Sequence, residues 1–144
     1  MIDLRSLDDL ESHIKSLLES ISEIEAIYDY IPMMDHLYFE RTHVCFEISN
    51  TAFSDSEFDG AFRMRSLIDF LIVVRDGTKS DVRRIGNEIL KAFESNPNPN
   101  LYNSWTPLNF RLEHVFVDEK HRAVGYLTVA VDQTLFPVEY VQGG

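Results

Sequence analysis

Arg65-Ser66-Leu67-Ile68-Asp69-Phe70-Leu71-Ile72-Val73-Val74 is the most apolar stretch of the chain, and Arg75-Asp76-Gly77-Thr78 breaks it. Alternate residues of a strand share one face. Ile68, Phe70, Ile72 and Val74 therefore fill one side, and Leu67, Leu71 and Val73 fill the other, with Asp69 as the polar exception. The run is short, rich in Ile and Val, and closed by a glycine turn, so it reads as a strand rather than a buried helix. A strand apolar on both faces belongs inside a sheet or an assembly. Asp69 is expected near an edge or paired with an arginine, because a lone carboxylate is weak ground for catalysis.

Outward from this strand, the N-terminal side carries Leu7, Leu10, Ile14, Leu17, Leu18 and Ile21 at helical spacing, with Asp8, Asp9, Glu11, Lys15 and Glu19 on the remaining face. This predicts an amphipathic helix that packs on a sheet, with Ser6 as its N-cap and acidic residues in its first turn. Glu23 to Leu37 either continues the helix or begins an irregular approach, and Pro32 ends it. Val44, Phe46 and Ile48 then alternate with His43, Cys45 and Glu47, the period of a strand. A loop is expected at 50–61, so this strand and the central one form an antiparallel hairpin.

On the C-terminal side Thr78 and Asp81 have capping-box spacing, and Val82, Ile85, Ile89 and Phe93 make one face of a second helix. Gly86 beside that face is explained by close packing on the sheet. Asn96-Pro97-Asn98-Pro99-Asn100 stops the helix. Strands at Phe110–Val117 and Ala123–Val131 flank the polar turn Asp118-Glu119-Lys120-His121-Arg122 and form a second hairpin. An apolar, flexible tail follows at 134–144. The expected whole is one α+β domain spanning 1–144, in the order helix-hairpin-helix-hairpin. It has two layers: a four-stranded, mostly antiparallel sheet with both helices on one face. The other face, with Phe46 or Leu71, is left without helices, and uncovered apolar area marks an interface.

The chain has 144 residues, 44% of them apolar, and its 13 basic and 24 acidic residues give a net charge of −11. That balance repels nucleic acid, so no direct nucleic-acid binding is expected, while basic partners are favoured. No apolar run approaches the roughly 18–20 residues of a membrane span, and the acidic start does not read as a signal peptide. Cys45 is the single cysteine. It permits no internal disulfide and reads as a small buried hydrophobe. His43, Glu47 and His114 are the best metal constellation available, and they lack a paired-ligand motif. Asp55, Glu57 and Asp59 resemble the start of a calcium loop without its terminal Glu. Arg75 to Ser80 lacks the glycine spacing of a phosphate loop. No catalytic residue, metal or cofactor is therefore expected. Candidate interface residues are Asp55, Glu57, Asp59, Leu71, Val73, Trp105, Phe136 and Tyr140.

The opening helix Leu7–Ile21, the strand Val44–Ile48, the run Arg65–Val74 with the helix Asp81–Phe93, and the hairpin Phe110–Val131 together resemble the small tail terminator (minor tail, tail completion) proteins of long-tailed bacteriophages. The resemblance implies a non-enzymatic structural protein that forms a ring, commonly a hexamer. Such a ring caps the tail tube, ends its polymerisation and joins tail to head. It implies as partners the chain itself, the tail tube protein and head–neck proteins, and a place in the virion tail or, during assembly, the host cytoplasm. The alternatives from the residues alone are a small intracellular enzyme or ligand-binding domain, with a pocket around His43, Glu47 and His114, and an acidic adaptor for a basic partner.

Overall fold

A computed structural model describes residues 3–33, 39–55, 62–75, 77–117 and 119–135. The elements are α1 (Ser6–Glu19), β1 (Ala26–Tyr28), β2 (His43–Asp55), β3 (Phe62–Val73), α2 (Lys79–Ser95), β4 (Ser104–Val117) and β5 (Lys120–Leu135). They form a two-layer α+β fold with an open five-stranded sheet in the order β1-β2-β3-β5-β4. β1 runs parallel to β2, and the other pairings are antiparallel. The central apolar run lies in β3, and β3 sits in the middle of the sheet, as its two apolar faces require.

Side chains alternate across the sheet as the period of two dictates. Val44, Phe46, Ile68, Phe70, Ile72, Leu127, Val129 and Val131 meet Leu10, Ile14, Leu17 and Leu18 of α1 and Val82, Ile85, Ile89 and Phe93 of α2 in the main core. A relay of aromatic rings crosses this layer: Phe46–Phe70 at 6.5 Å, Phe70–Phe93 at 6.2 Å and Phe93–Trp105 at 5.3 Å between centroids. Phe46 thus belongs to the helix-covered face and not to the opposite one.

α2 begins as its sequence indicates. The Thr78 hydroxyl oxygen accepts the Asp81 backbone N–H at 3.2 Å and donates to the Asp81 carboxylate at 2.5 Å. α1 begins differently. Its N-cap is Arg5, which supplies no side-chain cap, and Ser6 lies inside the first turn with its hydroxyl buried and unpartnered. Arg5 instead pairs with Asp3. The helix is held by its buried apolar stripe and not by a cap.

Two glycines lie where the layers meet, and one of them sets the contact. A Cβ on Gly125 of β5 would lie 2.5 Å from Val82 Cγ1 and 3.0 Å from Phe110 Cε2, so α2 seats on the sheet because β5 has no side chain there. At Gly86 of α2 a Cβ would meet Phe110 and Ile72 at 3.6 and 3.7 Å, ordinary contact distances. Close packing therefore does not require a glycine at Gly86.

One added strand and the bounds of β2, β4 and β5 differ from the expectation. The segment after α1 holds β1, a fifth strand fixed by Glu25. Its backbone N–H donates to Thr42 O at 2.8 Å, and its carboxylate accepts Thr42 N–H at 2.7 Å and Arg75 Nη2 at 2.6 Å. Helix periodicity fails here because a three-residue edge strand has no amphipathic signature. β2 runs to Asp55, into the stretch expected as loop from residue 50, because a bulge at Ile48/Asn50 interrupts its alternation. β4 and β5 likewise extend to Ser104 and Leu135, and β4 has its own bulge at Pro107/Asn109.

The second face of the sheet is only partly open. Leu71, Val73, Cys45 and Val124 form a second cluster with Phe39, with Tyr28, Ile31, Val115 and Tyr126 at its margin. Leu71 and Val73 are 0% exposed. Phe39, from the connection between β1 and β2, covers them where a helix does not. Arg122 adds a guanidinium over the Phe39 ring at 5.2 Å.

Candidate assembly surface

Among the described residues β4 is an edge strand, hydrogen-bonded to β5 on one side only. Its helix-side row is Trp105, Phe110, Leu112, His114 and Phe116, read from their partners Val131, Leu127, Gly125, Ala123 and His121. α2 lies over β3 and β5 and meets this row at Trp105 and Phe110, leaving its Phe116 end beyond the helix. Phe110 is 37% exposed, Phe116 63%, and Leu108, at the bulge, 47%. Phe116 stacks on His121 at 4.9 Å, which holds the aromatic pair at the end of the strand. Between α2 and β4 a groove of about 260 Å³ is lined by Arg83, Gly86, Asn87, Leu90, Phe110 and Leu127. An apolar row beside unpaired strand-edge groups is the composition of an association surface.

The opposite edge is also open. β1 pairs only with His43, Val44 and Cys45, so among the described residues the rest of β2 has no partner on its outer side. Beyond the reach of the helices, the β2–β3 hairpin exposes Phe53 and Phe62 at 46% and 40%. The sheet therefore has two edges able to pair and apolar side chains at both.

Trp105 is half-buried, stacked on Phe93. Leu71 and Val73 are core residues, enclosed by the chain's own Phe39, so they offer no side-chain surface to a partner. Asp55 ends β2, and its side chain lies outside the described residues, as do Glu57, Asp59, Phe136 and Tyr140. Asp69 is neither at an edge nor paired with an arginine. It lies in the central strand opposite Glu47 and accepts the Thr128 hydroxyl at 2.8 Å. Glu47 is exposed and Asp69 half-buried, so this part of the far face meets solvent.

The metal constellation does not form. His43 aligns with Val73 on the far face and His114 with Ala123 on the helix side, three strand spacings away, or roughly 14 Å. Among the described residues no group of three His, Cys, Asp or Glu side chains converges. His43 is buried, its Nδ1 lies 3.1 Å from Arg41 O, and its ring meets Tyr28 edge-on. Burial depresses its pKa. Burial pushes the Cys45 thiol up to about 11, the opposite of an activated nucleophile. His13 lies 3.2 Å from the Tyr102 hydroxyl and ties α1 to the approach to β4, and burial lowers its pKa too. Among the described residues no helix is long and apolar enough to cross a membrane.

The exposed residues of β4 escaped the sequence reading. Their alternation is plain, but which strand lies at the edge depends on pairing order, and β5 inserts between β3 and β4.

No protein-family model matches this sequence, and no curated protein does. Among solved structures, the gp17 protein of bacteriophage SPP1 is similar at a TM-score of 0.45 and 19% identity, over 90% of this chain and 91% of that one.

Proposed function

We propose that this chain is a structural subunit of a phage tail that associates with copies of itself into a closed ring, caps the tail tube and joins it to the head. The observation that carries self-association is the exposed apolar side chains of β4, Leu108 and Phe116 with the partly covered Phe110, along a sheet edge that is open among the described residues. The tail setting is supported by the order of elements, which resembles that of the tail terminator proteins. A ring needs a heterologous contact, in which two different surfaces of the subunit meet. Two unlike open edges supply that asymmetry. The buried, high-pKa thiol and the dispersed histidines favour a structural reading over a catalytic one.

The test is a tube-growth assay with a tail tube protein from the same genome, read by electron microscopy. The purified chain is expected to stop tubes from lengthening and to appear as a cap at one end. The variant Leu108→Ser/Phe116→Ser, altered at two exposed positions, is expected to remain folded and lose the effect. Tubes that lengthen equally with and without the native chain contradict the proposal.

A further inference from the structure

At the distal end of the far face a cleft of about 440 Å³ is lined by Ser54, Arg63, Arg65, Ser104, Asp132 and Thr134, among others. Arg63 and Arg65 are two residues apart in β3, so their side chains leave the same face, roughly 7 Å apart at the strand rise. Both are exposed. Neither forms an ion pair or hydrogen bond among the described residues, whereas Arg5, Arg75, Arg84 and Arg111 all hold carboxylates. Arg65 stands opposite Asp132, the one carboxylate in this lining, yet the Asp132 oxygen is 3.4 Å from the Ser104 hydroxyl and not bridged to Arg65. The cleft wall is otherwise rich in donors: the hydroxyls of Ser54, Ser104 and Thr134 and the Asn103 amide, which lies 3.4 Å from Thr134 Oγ1. Two planar guanidiniums, unpaired among the described residues and flanked by hydroxyls, suit carboxylate oxygens, which take paired N–H donors.

The surrounding charge selects the occupant. The chain carries a net −11, so long-range charge opposes any acidic partner and only a short-range contact at a local cationic site seats a carboxylate. A second copy brings the same acidic excess as side chains spread over its surface, including the exposed Asp8 and Asp9 of α1. Resting on the self-association read above, we propose that the Arg63–Arg65 cleft is a carboxylate-binding site that docks an acidic surface of a second copy of this chain. Contact between a cationic cleft and a different, acidic surface is heterologous, the kind that closes rings. It also gives the assembly an ionic register beside the apolar one at β4.

The test compares the full chain with Arg63→Ala/Arg65→Ala and Arg63→Lys/Arg65→Lys by light scattering, at about 50 and 500 mM salt. Circular dichroism checks the fold, which substitutions at exposed positions leave intact. The native chain is expected to assemble, and the double alanine variant to assemble at least about tenfold more weakly. The lysine variant keeps the charge without the planar fork, so it is expected to be intermediate and more salt-sensitive. If the native and double alanine chains assemble alike, the cleft proposal fails and self-association stands. If the native chain stays monomeric, self-association itself fails and the cleft proposal with it. If about 10 mM inorganic phosphate displaces the second copy from the native chain and not from the alanine variant, the anion site is supported directly.

Discussion

The same substitution at two glycines of the one helix–sheet contact is expected to have opposite signs. In Gly125→Ala the new methyl would sit 2.5 Å from Val82 Cγ1 and 3.0 Å from Phe110 Cε2, where carbon atoms prefer about 3.5–4.0 Å. Val82 is fully buried in α2, and a β-branched side chain in a helix has one strongly preferred rotamer. It cannot swing aside, so α2 must lift from β5. Overpacking of this kind costs about 1–3 kcal/mol, offset by roughly 0.5–1 kcal/mol for replacing glycine within a strand. The expected net loss is about 1–2 kcal/mol. In Gly86→Ala the methyl meets its neighbours at 3.6 and 3.7 Å, and a helix interior gains about 1 kcal/mol from alanine. Thermal unfolding followed by circular dichroism at one fixed protein concentration should show Gly125→Ala lowering Tm by roughly 3–8 °C and Gly86→Ala raising it by roughly 3–4 °C. Adding Val82→Ala to Gly125→Ala removes the clash, so the double variant should lose less than the sum of its parts. Gly125→Ala at or above native stability, or two shifts of one sign, would refute the account of how α2 is seated.

Three other outcomes follow from local chemistry. Thr78→Ala removes the acceptor of the Asp81 N–H and should cost about 1 kcal/mol in urea unfolding, with Thr78→Ser retaining most of it. Cys45 should resist alkylation in the folded protein at pH 8 and react once unfolded. Its folded pKa of about 11 lies above the ordinary 9.0, so its contribution to stability is full below pH 9 and is lost as pH rises towards 11. His43 has its pKa depressed by burial below the ordinary 6.5, so the unfolded chain takes up a proton first on acidification. Stability should therefore fall as pH drops through about 6.5, and His43→Gln should flatten that part of the pH profile.

The core was readable wherever periodicity is strong. The two faces of β3, the stripe of α2 and the Thr78 cap follow from spacing alone, because burial and capping are local patterns. β1 was not readable, since three residues carry no period and Glu25 holds them through Thr42 and Arg75, far apart in sequence. The covering of Leu71 and Val73 was missed for the same reason: Phe39 comes from a connection without periodicity. Bulges at Ile48/Asn50 and Pro107/Asn109 shift the alternation by one and hid the true lengths of β2 and β4. The candidate surface depends on the strand order β3-β5-β4, and only that order makes β4 an edge. Trp105, a candidate interface residue by sequence, packs on Phe93 in the inner relay of rings, and Phe110, Phe116 and Leu108 are the more exposed side chains of β4.

The most direct test of self-association is the mass of the purified chain in solution, measured by light scattering across a dilution series. The account predicts one oligomeric species of fixed subunit number that persists to roughly micromolar concentration. A monomer at about 100 µM, equivalent to no specific association stronger than about 5–6 kcal/mol, would contradict it.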